Sequence, residues 1–135
     1  MNQYSIQYIG DLKTKITHLQ SKQVIFTDAP TDNHGEGKFF SPTDLIPTSL
    51  GSCIMTLIAI HANLLGLSIQ GSYMNVEKVM KNSPRAIHKI LINIYMPDVE
   101  KENKEKLEKA ALNCPVYHSL HPELEKNIIF HWGAI

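Results

Sequence analysis

A chain of 135 residues is long enough to bury a core without disulfide or metal staples, and it most simply forms one domain over 1–135. Thirteen Lys and Arg balance thirteen Asp and Glu, and the basic residues form no patch, which sets nucleic-acid binding aside. At 43% hydrophobic and 19% charged residues, the composition is that of an ordinary soluble globular protein.

The opening residues Met1 to Gln7 carry neither a basic n-region nor an apolar h-region, so no secretory signal is expected. The expected location is therefore cytoplasmic, where two cysteines are reactive or reduced rather than a structural staple. Tyr4, Ile6 and Tyr8 alternate with polar residues, and Leu12, Val24 and Phe26 continue the pattern around breaks at Gly10 and near Ser21. That alternation predicts three short antiparallel strands within the first 28 residues. Residues 28–38, rich in Pro, Gly, Asp and Asn, read as a loop. It is either a lid or pocket rim, or a mobile connector.

Between Asp44 and Glu77 there is no Asp, Glu, Lys or Arg, a gap that burial explains. Ser41 is a good N-cap, Pro42 suits the first helical position, and Asp44 faces the positive end of the dipole. Apolar residues then fall on more than one stripe, among them Leu45, Ile46, Leu50, Ile54, Leu57, Ile58, Ile60 and Leu64. A helix apolar nearly all round is central and covered on most faces. Gly66 is a natural cap for its end, and Pro47 should kink it or split off a short first segment. A membrane span needs about 20 predominantly apolar residues. Pro47, Gly51, Ser52, His61, Asn63 and Gly66 interrupt this run, so no membrane is expected.

Residues 68–82 and 86–96 predict two long strands around the turn from Asn82 to Arg85. Ile90, Ile92, Ile94 and Met96 share one face of the second strand. Residues 99–112 form an amphipathic helix whose charges are most simply a solvated face. Pro115 at a first helical position makes Cys114 the N-cap of a short helix closed by Pro122, and residues 124–132 are a last strand. Strands in hairpins rather than βαβ units predict an α+β fold with antiparallel sheets.

Cys53 lies mid-helix behind the small residues Ser49, Gly51 and Ser52, which would let a backbone or a small substrate approach its sulfur. The bland alternative is an inert buried cysteine acting as a small hydrophobe. Cys114, at a helix N-terminus, should feel free N–H groups that lower its pKa and favour thiolate. If the two meet, a peroxide-reducing pair is possible: one thiolate becomes a sulfenic acid and the other condenses with it. A zinc site built from Cys114, His118 and His121, with Cys53 as fourth ligand, is the rival chemistry. Otherwise His118 pairs with Cys114 or caps its helix, and His61 reads as a satisfied core histidine.

Ser41-Pro42-Thr43-Asp44-Leu45, then Leu50-Gly51-Ser52-Cys53, a long hairpin, Cys114-Pro115-Val116 and a last strand resemble the OsmC/Ohr family. These are the osmotically inducible protein C and organic hydroperoxide resistance proteins. The likeness covers nearly the whole chain in order, and Asp28-Ala29-Pro30 before the Ser-Pro helix points to the smaller OsmC-like branch. The resemblance implies an intertwined homodimer with sheets wrapped around central buried helices, and thiol peroxidase activity toward small hydrophobic organic hydroperoxides. It makes Cys53 the peroxidatic residue and Cys114 the resolving one, re-reduced by a dithiol such as a dihydrolipoyl group, with no metal or organic cofactor. Two positions depart from the peroxidase members. Thr43 stands where they carry Glu, ten positions before the first Cys, and the single arginine is Arg85 in the hairpin turn rather than one near the N-terminus. A non-catalytic stress or small-ligand-binding protein is therefore the alternative reading.

Overall fold

Alternating side chains in the first 28 residues produce strands β1 (Tyr4–Gly10), β2 (Lys13–His18) and β3 (Val24–Asp28), as the sequence predicts. The computed structural model describes all residues 1–135, whose contacts divide into two units, Met1–Ile46 and Pro47–Ile135.

In the first unit β1, β2 and β3 pair antiparallel in that order. The register aligns Ile6 with Ile16 and Ile16 with Ile25, an apolar row across one face. That row is not covered: Ile6 is 68% exposed and Ile25 51%. The connector after β3 contains a 3-10 turn at Thr31–Asn33 and is pinned rather than slack. The Lys38 N–H donates to the buried Asp28 Oδ2 at 2.9 Å, and Lys13 Nζ lies 3.4 Å from the same oxygen. Glu36 bridges Lys13 at 2.8 Å and Lys38 at 2.9 Å. Gly35 approaches the Ala29 backbone so closely that a Cβ there would lie 1.7 Å from the Ala29 carbonyl oxygen.

Helix α1 (Pro42–Leu64) begins in the first unit and continues into the second. Its start is a reciprocal cap: Asp44 N–H donates to Ser41 Oγ at 3.1 Å, and Ser41 N–H donates to Asp44 Oδ2 at 2.8 Å. Pro47 does not split it; the helix stays continuous, losing only the N–H that would have reached the carbonyl one turn earlier. At the far end Leu67 N–H reaches the Ala62 carbonyl at 2.8 Å and Gly66 N–H the Asn63 carbonyl at 3.1 Å. Gly66 at φ +70° supplies the left-handed residue that this closure requires.

The second unit holds β4 (Tyr73–Lys81), β5 (Ala86–Met96), α2 (Lys101–Leu112), α3 (Pro115–Ser119) and β6 (Glu125–Trp132). β4 starts later than the alternation suggests, because a turn at Gly71 (φ +89°) interrupts the extended run. The sheet order is β4-β5-β6, with β4 antiparallel to β5 but β6 parallel to it. The α+β class holds, while the all-antiparallel expectation is corrected at β6. Helices α2 and α3 carry the chain back to the starting end of β5, and such a return gives parallel pairing.

The core joins Leu50, Ile54, Ile58 and Ala62 of α1 to Ile90, Ile92, Ile94 and Met96 of β5, with Leu107 and Ala111 of α2 and Cys114. All are fully buried. Gly51 answers for the small residues before Cys53: a Cβ there would meet Met74 Sδ at 2.8 Å, so the close approach is made by β4. By length and a mean hydropathy of 1.6, α1 could cross a bilayer, but its buried stripe is that of a core helix. Its remaining faces are not covered within one chain, Ile60 being 49% and Leu64 79% exposed.

Acid should loosen the first unit. The Glu36 carboxyl is pulled down to about 2 from 4.5, by Lys13 first and Lys38 next. Asp28 is also lowered, chiefly by the Lys38 N–H acting against burial. A depressed carboxylate stabilises the fold above its unfolded pKa, and that contribution is lost as pH falls through the folded value. Glu36→Gln should therefore melt below the wild-type chain at pH 6, by a few degrees at most for a half-exposed pair, and coincide with it near pH 2. Thermal melts at both pH values check this.

Candidate functional site

Two helices bring the cysteines together. Cys53 sits one residue before Ile54 of the buried stripe, which turns it about 100° off the core axis and leaves it half-buried on the flank of α1. Cys114 follows α2 and caps α3; its Sγ accepts from the Tyr117 N–H at 3.4 Å. It is fully buried, and its side chain lies within hydrogen-bonding reach of that of Cys53. Both are free thiols. Partly buried Leu57, Val76, Val116 and Tyr117 pack against the same core.

The expected acidity of Cys114 is reversed. Burial pushes its thiol above the ordinary 9.0, and the hydrogen bond to Cys53 raises it further. The N–H groups of Tyr117 and Val116 pull the other way and lose. A five-residue helix offers a weak dipole, and complete burial penalises the thiolate more than two amides favour it. Cys114 thus keeps its proton and can donate a hydrogen bond to Cys53.

The other sequence candidates stay apart. No three His, Cys, Asp or Glu side chains converge on a point able to hold a metal, so the zinc alternative lacks its donor set. His118 stands edge-on to Tyr117, and His121 Nδ1 accepts from the Glu123 N–H at 3.0 Å. Arg85 is exposed in the turn between β4 and β5. His61 is half-buried and lines a groove of about 650 Å³ with Lys106, Lys109 and Asn113 of the α2 region. That groove was missed because the charges of α2 read as a solvated face; the signal was the i, i+3, i+4, i+7 spacing of Lys106, Lys109, Ala110 and Asn113.

The chain belongs to the OsmC-like protein family, whose description matches residues 35–128. It is 41% identical to a protein of Psychrobacter arcticus described provisionally as an osmotic stress induced and detoxification response protein. That match covers 97% of this chain and 96% of the other, with a TM-score of 0.93. An organic hydroperoxide resistance protein of Legionella pneumophila shares the fold at 15% identity and a TM-score of 0.75, over 94% and 93% of the two chains. An OsmC-like protein of Mycoplasma pneumoniae does so at 17% and 0.79, over 96% and 94%. No curated protein matches the chain.

Exposure orders the two thiols. Iodoacetamide at pH 8 should modify Cys53 at least about tenfold faster than Cys114. Cys114 should react only after denaturation, since its raised pKa keeps it protonated as pH climbs toward 9. Peptide mass spectrometry over time checks this; equal rates would contradict the burial that separates them.

Proposed function

We propose that the chain is a cytoplasmic thiol peroxidase that reduces organic hydroperoxides as part of an oxidative-stress response. The observation that carries this reading is that Cys53 and Cys114, both free thiols, neighbour each other at the core. The names of the Legionella and Psychrobacter proteins, organic hydroperoxide resistance and detoxification response, point the same way. The Cys53 thiolate attacks the distal peroxide oxygen, the O–O bond breaks, and the alkoxide leaves as the alcohol after taking a proton. Cys53 is then a sulfenic acid. Cys114 sulfur attacks the Cys53 sulfur, hydroxide leaves with the Cys114 proton as water, and a disulfide remains. An external dithiol, a dihydrolipoyl group by family resemblance, exchanges with that disulfide and is itself oxidised.

All 135 residues act as one OsmC-like domain, since the family match runs across the boundary between the two contact-defined units. The working form is a homodimer. The exposed Ile6 and Ile25 of the first sheet and the exposed Ile60 and Leu64 of α1 are apolar side chains that one chain leaves in water. A second copy is the simplest cover, through a two-fold interface. One observation favours the non-catalytic alternative: Asp44, the acid beside Thr43, has Oδ2 engaged in capping α1.

Substitution separates the roles. Cys53→Ser should abolish hydroperoxide consumption with a dithiol reductant. Cys114→Ser should oxidise once and then accumulate sulfenic or over-oxidised Cys53, seen as added oxygen by mass spectrometry. If cumene hydroperoxide leaves both native thiols reduced, the binding-protein reading replaces the peroxidase.

Assembly is tested by light scattering, which should give about twice the 15.2 kDa chain mass. Ile6→Asp, placing a charge in the apolar row, should weaken the dimer by about 2 kcal/mol or more. A monodisperse native monomer at micromolar concentration would refute the dimer.

A further inference from the structure

Strand β6 carries one side chain out of keeping with its row. Lys126 shares a face with Ile128, Phe130 and Trp132, which pack on the core, and its partner across the ladder is the fully buried Ile90. A lysine in such a row is costly unless its ammonium is satisfied. The partners it finds are two carbonyls and a ring. Nζ donates to the Leu124 carbonyl at 2.9 Å and to the His121 carbonyl at 3.4 Å, and it lies 4.9 Å from the centre of the Tyr117 ring. An ammonium has three N–H groups, and this set can occupy them all.

All three partners belong to the stretch that carries Cys114. Helix α3 has five residues, too few to hold itself by its own hydrogen bonds. Its start is well tied: Cys114 Sγ accepts from the Tyr117 N–H at 3.4 Å, and the Cys114 carbonyl accepts from the His118 N–H at 3.1 Å. Its far end is looser, with the Leu120 N–H reaching the Tyr117 carbonyl only at 3.4 Å. Beyond it the chain turns at His121, whose carbonyl also takes the Leu124 N–H at 3.0 Å. Lys126 therefore ties the start of β6 to the loose end of α3. Tyr117 links the ammonium to the sulfur within one residue, its ring under Nζ and its N–H on Sγ.

We propose that Lys126 is a positioning residue for Cys114: it clamps α3 so that the thiol stays covered and within reach of Cys53. Its effect falls on closure of the disulfide rather than on the first oxidation of Cys53. Closure needs the Cys114 sulfur in line with the Cys53 sulfur, and misplacing reacting atoms by about 1 Å can cost on the order of a hundredfold in rate. Without the clamp, a Cys53 sulfenic acid waits longer for its partner. A second hydroperoxide then transfers its distal oxygen to that sulfur, giving a sulfinic acid and releasing the alcohol. This last consequence rests on the peroxidase reading; the clamp does not.

Lys126→Met keeps an unbranched apolar stem and removes the ammonium, whereas Lys126→Arg keeps a cation suited to carbonyls and a ring. Closure is measured with diamide, which needs no peroxide. The Cys53 sulfur adds to its N=N bond, and the Cys114 sulfur then displaces the hydrazine to leave the disulfide. In Lys126→Met, closure should slow about tenfold and iodoacetamide should label Cys114 about tenfold faster, while the first addition at Cys53 stays within about twofold of the native rate. Lys126→Arg should restore both Cys114 readouts. Three results overturn the proposal: native closure and labelling in Lys126→Met; a loss spread equally over both cysteines, the mark of a merely structural lysine; or failure of Lys126→Arg to restore either readout. Cumene hydroperoxide is applied separately, and with it the Met variant should accumulate sulfinic Cys53. If it leaves the native thiols reduced, the peroxidase reading falls, and the diamide and labelling rates still decide the clamp.

Discussion

The rotation of α1 against the second sheet is the constraint from which the site follows. Leu50, Ile54, Ile58 and Ala62 recur at three- and four-residue spacing, and all are fully buried in one core with the inward row of β5. Burying each large aliphatic side chain is worth about 1.5–3 kcal/mol, so rotating the helix by one residue would forfeit several such contributions at once. Gly51 sharpens the fit, since a Cβ there would press on Met74 Sδ at 2.8 Å and crowd Val76 at 3.3 Å. With that rotation fixed, Cys53 can be neither in the core nor fully in solvent. It lies on the flank, in contact with Cys114.

Much of this was legible because it is local. The alternation of Ile90, Ile92, Ile94 and Met96 names the buried face of β5 without any structure, and all four are fully buried. Ser41, Pro42 and Asp44 announce the start of α1, and Gly66 its end. What escaped reading was non-local. The parallel partner of β5 depends on the path of α2 and α3, which no window of residues contains. The acidity of Cys114 depends on how completely other elements cover it, and a helix-cap argument counts only its neighbours in sequence. The groove between α1 and the α2 region escaped for the same reason: its two walls come from stretches some forty residues apart.

The reversal at Cys114 changes how the pair can work. Had both thiols been acidified, two thiolates in contact would repel and neither would be favoured as nucleophile. Instead burial holds the proton on Cys114, and a protonated Cys114 is a hydrogen-bond donor aimed at its partner. On the proposed peroxidase reading, Cys114 would stand in for part of the electrostatic support that Glu and Arg provide in the peroxidase members resembled above. Thr43 and the distant Arg85 then weaken the case for turnover less than their identity suggests. A thiolate formed at Cys53 in the proposed reaction would have a local donor that needs neither.

Donation by Cys114 has a consequence for the second half-reaction. Once Cys53 is a sulfenic acid, the negative charge that the Cys114 proton supported is gone, and the same proton can pass to the departing hydroxide. In the proposed cycle, the group that stabilises the nucleophile in the first step would therefore be the acid and the attacking sulfur in the second. A pair of unlike burial makes this possible. On that reading the half-buried sulfur would meet the oxidant while the fully covered one is shielded from it. Complete burial of Cys114, the chief cause of its raised pKa, would in that cycle also guard it against direct oxidation.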